Sequence, residues 1–229
     1  MGFSQAKLLL HLTKVSLKKY ERYHEMVENY LEGEAENISM IFESMEEETE
    51  KRSSFIPRKF KDAVDDLSEE LNEISVIFMG HFRNSLLVQI TSFIEFELKK
   101  ICNNHSEFSN SKYKISDLAG MSDLEKCKKY LVKSCNVDFN YLNGEWEFIK
   151  TAYKVRNKVI HHSGTVTKKE TEDDLVKLIE QRFIIIIKGK DGEESTLRLT
   201  KRLNSKLIDV AISFFTKLLS EELGISWHK

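Results

Sequence analysis

The chain is short of the residues that interrupt helices. Among 229 residues there is one proline, Pro57, and only Gly2, Gly33 and Gly80 of the nine glycines precede residue 120. Long, unbroken helices are therefore expected through the first half. Cysteine is scarce too: Cys102, Cys127 and Cys135 are odd in number and contain no CxxC pair. That pattern disfavours a disulfide framework and a zinc knuckle and points to a reducing, cytoplasmic setting. A net charge of −2, from 35 Lys plus Arg against 37 Asp plus Glu, leaves no whole-chain signature of nucleic-acid binding, so such a partner must be met locally. The apolar run Leu8-Leu-Leu10 is interrupted by Lys7, His11 and Lys14 and lacks a cleavage signal, and no window approaches a membrane span. No fixed-period repeat, phosphate-cradling glycine loop or nucleophile elbow is present. His11 and His24 are scattered, Cys127 and Cys135 lack a ligand pair's spacing, and His161 and His162 diverge on a helix. Neither a metal nor a cofactor is expected.

What is present is acid at one end and helical periodicity nearly everywhere. Residues 21–50 hold eleven glutamates with Arg22 as the one Lys or Arg, an acidic face that repels RNA and reads as solvated. The segment before Ser54 is expected to form one or two helices packed by Leu9, Leu12, Tyr20, Met26, Tyr30, Ile38 and Ile41. Pro57 marks a break, giving an arm over 1–56 and a helical domain over 57–229. Helices are predicted from about Lys59 to Met79 and from His81 to Cys102, the second dense in apolar residues at helical spacing. Arg83 and Glu97 fall inside its apolar arc, and buried charges need partners. A polar loop follows to Ser116, then a helix opened by the capping box Ser122-Asp-Leu-Glu125 and running to Ser134. Another helix spans Glu145 to His161. Phe183 to Ile187 and Thr196 to Leu199, flanking Lys190-Asp-Gly192, predict a β-hairpin near 182–200, and Asn204 to Leu223 a last helix. The expected fold class is mainly α: a helical bundle with an N-terminal helical extension and a small β-hairpin insertion.

Chemistry concentrates in Tyr153-Lys-Val-Arg-Asn-Lys-Val-Ile-His-His-Ser-Gly164. Arginine offers a permanent charge and a planar fork suited to phosphate, and histidine is the side chain whose ordinary pKa lies nearest neutrality. Arg156 falls on the helix's apolar face, so it must snorkel, pair with a carboxylate such as Glu97, or reach into an interface. Asn157 and His161, one turn apart, share the polar border, where Ser163-Gly164 should end the helix. Lys154, Arg156, Lys158, Lys168 and Lys169 lie in a stretch with no acid, a candidate phosphate-binding rim. Short basic helix ends are also common on ordinary surfaces. Trp146, Tyr153 and the phenylalanines fit a core better than a base-stacking platform.

Arg156-Asn-Lys-Val-Ile-His161-His-Ser-Gly164 resembles the RNxxxH signature of the HEPN superfamily, the higher eukaryotes and prokaryotes nucleotide-binding domain. Arg83-Asn-Ser-Leu-Leu-Val-Gln-Ile-Thr-Ser-Phe-Ile-Glu95-Phe-Glu-Leu98 is similar to the family's preceding core helix with its acidic residue, and Lys129-Tyr-Leu131 through Trp146 to its connecting region. The resemblance covers roughly residues 80–223; the arm lies outside it and the β-hairpin looks like a subfamily insertion. It implies an HEPN-like bundle, a homodimer, and metal-independent endoribonuclease activity in toxin or antiviral defence. Arg156, His161 and Asn157 would be catalytic, and Lys154, Lys158, His162, Lys168 and Lys169 would bind RNA. Glu97 or Glu95 would support Arg156, with Glu95 the alternative that the resemblance suggests. His162 also satisfies the loose motif, but Asn157 shares the side of His161. Expected partners are RNA, a second copy, and an antitoxin or defence-system protein, with no membrane. The alternative within the resemblance is a catalytically inactive HEPN module for dimerisation or for nucleotide or RNA binding.

Overall fold

The computed structural model describes residues 2–51, 58–109, 111, 113–120, 122–173, 175–189 and 194–223. It is mainly helical, 81% helix and 7% strand. Pro57 and the turn at 190–192 lie outside the described residues.

The scarcity of helix breakers is fully expressed. α1 is one helix, Gly2–Lys51, and at about 1.5 Å rise per residue its fifty residues extend about 75 Å. α2 (Arg58–Asn72) passes without a break through a wide π-type turn, Glu73–Phe78, into α3 (Met79–Phe108). The expected separation near Gly80 does not occur: its backbone stays helical, where glycine costs stability but no hydrogen bond. α3 also continues past Cys102 through residues expected to be loop.

α4 (Asp123–Cys135) begins as the capping box requires, with Ser122 Oγ accepting from the amide of Glu125, and ends at left-handed Asn136. α5 spans Asn143–His162. Three strands follow, β1 (Thr165–Thr167), β2 (Ile184–Lys188) and β3 (Glu194–Leu199), in the antiparallel order β1-β3-β2. β2 and β3 are the expected hairpin, with Ile184 opposite Leu199 and Ile187 opposite Thr196. β1, three residues long, gives too short an alternation to be read from sequence. Two short helices, α6 (Lys168–Glu172) and α7 (Val176–Glu180), cross from β1 to β2. α8 (Lys201–Thr216) closes the bundle.

One core joins these elements. α3 contributes Leu86, Leu87, Ile90, Ile94 and Leu98, α5 contributes Trp146, Ile149 and Val155, and α8 contributes Leu207, Phe214 and Phe215. Leu9 and Leu17 of α1 belong to the same core, so the first half of the expected arm is bundle. Beyond Glu28 only Ile38 of α1 is buried among the described residues, and α2 has no buried residue. The arm proper is thus the second half of α1 laid against α2.

The expected packing face of α1 is corrected in part. Leu9 and Ile38 are buried and Tyr20 packs on the core, but Leu12, Met26, Tyr30 and Ile41 are 49–64% exposed. The inward stripe runs instead through Leu9, Thr13, Leu17, Tyr20, His24 and Glu28, steps of three and four that include polar side chains. Tertiary partners for those polar groups decided which face turned inward.

Candidate functional site

α5 is held at both ends and along its length. Glu145, in its first turn, accepts from Ser213 Oγ at 2.9 Å and pairs with Lys217 Nζ at 2.7 Å, fastening it to α8 and the segment that follows. Tyr153 donates its hydroxyl to the carbonyl of Thr91 at 2.5 Å, with Glu95 Oε2 at 3.3 Å, fastening it to α3. Burial, then the Glu95 charge, push the Tyr153 hydroxyl well above the usual phenol range, so it stays protonated as a strut between α5 and α3.

The C-terminal end is locked by backbone geometry. Ser163 (φ 49°) and Gly164 (φ 79°) are left-handed, and the Gly164 amide donates to the carbonyl of Lys158 at 3.0 Å. Leu197 of β3 donates to the carbonyl of Gly164 at 2.9 Å, and a Cβ on Gly164 would meet the Leu197 carbonyl at 3.0 Å. Glycine is needed here for both conformation and approach.

On this fixed end Arg156 is half-buried while Asn157, Ile160, His161 and His162 are exposed. Arg156 Nη1 donates to Asn157 Oδ1 at 3.0 Å, whereas its Nε is buried with no hydrogen-bond partner among the described residues. At about 100° per residue, Ile160 stands about 40° from Arg156 and His161 about 40° from Asn157. The four form one exposed-edge strip. Neither the His161 nor the His162 side chain makes a hydrogen bond or ion pair within the described residues.

The expected carboxylate partner of Arg156 is corrected. Glu97 is buried on the side of α3 facing α1, accepting from Thr13 Oγ1 at 3.1 Å and pairing with Lys100 at 3.4 Å. Glu95 pairs with Lys99 at 3.1 Å and meets Tyr153 rather than Arg156. The other arginine in an apolar arc, Arg83, has the carboxylate instead: its Nε and Nη2 bind the two oxygens of Glu28 at 2.7 and 2.6 Å.

The basic rim is also redistributed. Lys158 forms an ion pair with Glu170, the first acid after the basic stretch. Lys158, then the Thr167 amide, hold the Glu170 carboxyl down at about 2. Glu170 is also the third residue of α6's capping box, its Oε2 accepting from the Thr167 amide at 2.9 Å. Lys154, Lys168 and Lys169 are exposed. Lys154 and Asn157 line a groove of about 720 Å³ between α4 and α5, and its α4 wall carries Lys128, Lys129 and Lys133. Those lysines were missed because α4 is distant in sequence, although Lys126-Cys-Lys-Lys129 was a visible signal. Among the described residues no group of three or more His, Cys, Asp or Glu side chains is arranged to hold a metal ion. Among the described residues no helix is long and apolar enough to cross a membrane.

No family model, curated protein or solved structure matches the chain.

Proposed function

We propose that the chain is an HEPN-type endoribonuclease that cleaves RNA without a metal, through the ribose 2′-hydroxyl. The observation that carries this reading is the end of α5, where an arginine bonded to asparagine and a histidine one turn beyond that asparagine sit at an exposed, rigidly capped helix end. In the reaction the 2′-oxygen bonds to phosphorus and the P–O5′ bond breaks. A histidine takes the 2′-hydroxyl proton, a second proton donor protonates the departing 5′-oxygen, and the products are a 2′,3′-cyclic phosphate and a 5′-hydroxyl. Arg156 stabilises charge on the phosphorane-like transition state, and Asn157 holds the guanidinium in place.

One chain offers a sparse set for two proton transfers, and a symmetric homodimer joining two α5 ends would supply His161 twice. One feature supports that arrangement: Ile160, an apolar side chain 43% exposed beside Arg156. Three buried free cysteines support a reducing, cytoplasmic setting. A protein inhibitor or defence-system partner would then restrain activity in the cell.

The test is incubation of purified protein with mixed RNAs in EDTA beside His161→Ala, with product ends identified. Cleavage giving cyclic-phosphate ends, lost in the variant, is the expected result. Absence of cleavage by a folded dimer would replace this reading with the inactive dimerisation or nucleotide-binding module. In mixed dimers, one Arg156→Ala/His161→Ala subunit should silence its wild-type partner. Full per-subunit activity there would overturn the composite site.

A further inference from the structure

The groove between α4 and α5 has a charge that the chain as a whole does not. Lys128, Lys129 and Lys133 from α4 and Lys150 and Lys154 from α5 line it, with Glu125 the one carboxylate among the lining residues, in a protein of net charge −2. About 720 Å³ is within the range that takes a drug-sized ligand, and it suits a short length of one strand. Lys150, Lys154 and Asn157 follow one another at i, i+4 and i+7, placing one end of the groove at the residue that binds Arg156. Lys150 and Asn157 are about 10 Å apart along the helix.

The groove's chemistry favours backbone over bases. Trp146 is 2% exposed, so its ring is not presented for stacking, and the Tyr153 hydroxyl is bonded to the Thr91 carbonyl. Lys128 stands over the rings of Phe139 and Trp146 at 5.0 and 5.4 Å, which fixes its charge at the wall. Lys129 is braced on the Ala119 carbonyl at 2.6 Å. Lys133 and Lys154 are exposed. Val132, 42% exposed, offers an apolar contact between them and the groove floor.

We propose that the α4–α5 groove binds the sugar–phosphate backbone of single-stranded RNA and delivers it to the Arg156–His161 turn. The identity of the strand as RNA rests on the ribonuclease reading; the electrostatic capture does not require cleavage. Contacts to phosphate carry no base sequence, so binding is sequence-tolerant and weakens steeply with salt.

The test uses a fluorescein-labelled ten-nucleotide RNA with 2′-O-methyl on every ribose, which lacks the nucleophile and stays intact. Binding to the full chain is followed by anisotropy over a salt series. Lys133→Ala/Lys150→Ala/Lys154→Ala should raise Kd tenfold or more and make the slope of log affinity against log salt shallower by about 2, from about 0.7 for each lost contact. Lys59→Ala/Lys61→Ala/Lys188→Ala, three exposed lysines elsewhere, should change neither. Should the groove triple lose helical content, Lys133→Gln/Lys154→Gln replaces it, with a slope change of about 1.4 expected. No binding by the wild type, an unchanged slope in the groove variant, or an equal loss in the control triple would overturn the inference. Unmodified RNA in EDTA separates the two readings. Groove-dependent binding without cleavage sinks the ribonuclease and leaves the groove, whereas cleavage with groove-independent binding does the reverse.

Discussion

Two arginines, each in the apolar arc of a long helix, end in opposite circumstances. Arg83 on α3 is 15% exposed, forks onto both oxygens of Glu28, and approaches the Leu199 carbonyl at 3.4 Å. Around that pair His24 stands 3.5 Å from Glu28, and Asn204 of α8 donates to the Arg83 carbonyl at 3.0 Å. Among the described residues Arg156 on α5 has one side-chain bond, to its own neighbour Asn157, and a buried Nε without a partner. A charge whose donors are taken up stabilises a seam between helices, whereas on the proposed function Arg156 meets its phosphate outside the chain. The same residue type on the same kind of face thus finds different partners.

Removing the guanidinium should separate the two most sharply. Arg83→Ala leaves Glu28 buried and unpaired, and breaking a buried pair in this way costs about 3–5 kcal/mol. Arg156→Ala should cost about 1 kcal/mol or less while abolishing RNA cleavage. Urea unfolding of both variants decides it; comparable losses would make Arg156 a structural residue and end the contrast.

His161→Ala should reduce cleavage by about 10²–10⁴-fold, the usual contribution of a general acid or base, with unfolding midpoints unchanged. Single-turnover rates in EDTA measure it. A rate within a few-fold of wild type would transfer the role to His162 or remove it from this turn.

The Arg83 seam should also respond to acid. Burial alone would raise the Glu28 carboxyl, but hydrogen bonds from Arg83 and His24 overcome it and hold it down at about 2, against an ordinary value of 4.5. A lowered folded-state pKa contributes stability that is complete above about 4.5 and is lost as pH falls toward 2, here about 3 kcal/mol. Stability measured from pH 6 to 2.5 should fall accordingly, and Glu28→Gln should flatten that part of the profile. An unaltered profile would remove Glu28 as its source.

The smallest effect concerns Lys158. Glu170→Ala removes a partly exposed ion pair and one arm of the α6 capping box, together worth about 1 kcal/mol. It also releases a positive charge one residue from Asn157, so affinity for the 2′-O-methyl RNA should rise modestly at low salt. Unchanged affinity would place Lys158 away from the strand.

Periodicity made most of the fold readable. The apolar spacing of α3, α5 and α8, the Ser122 cap and the β2–β3 alternation all correspond to elements of the structure, because each is a local pattern repeated over several residues. The helices expected to end at Met79 and to begin again at His81 are continuous through Gly80. β1 and the inward face of α1 were not readable for another reason: three residues carry no period, and a stripe containing Thr13, His24 and Glu28 looks like a solvated one until its partners are known.

The sequence by itself determined the main helices, though not the full extent of α3 or the short α6 and α7, where α5 ends, and that Arg156, Asn157 and His161 share its last turns. Those are consequences of spacing, capping and left-handed backbone at Ser163 and Gly164, all settled within a few residues. Tertiary structure alone decided that Glu28 belongs to Arg83, that Glu97 turns toward Thr13, and that the lysines of α4 stand across from Lys150 and Lys154. Each of these joins side chains from separate helices. Charge partners across helices are selected by packing, and nothing in the local spacing of either helix specifies which carboxylate will face which cation.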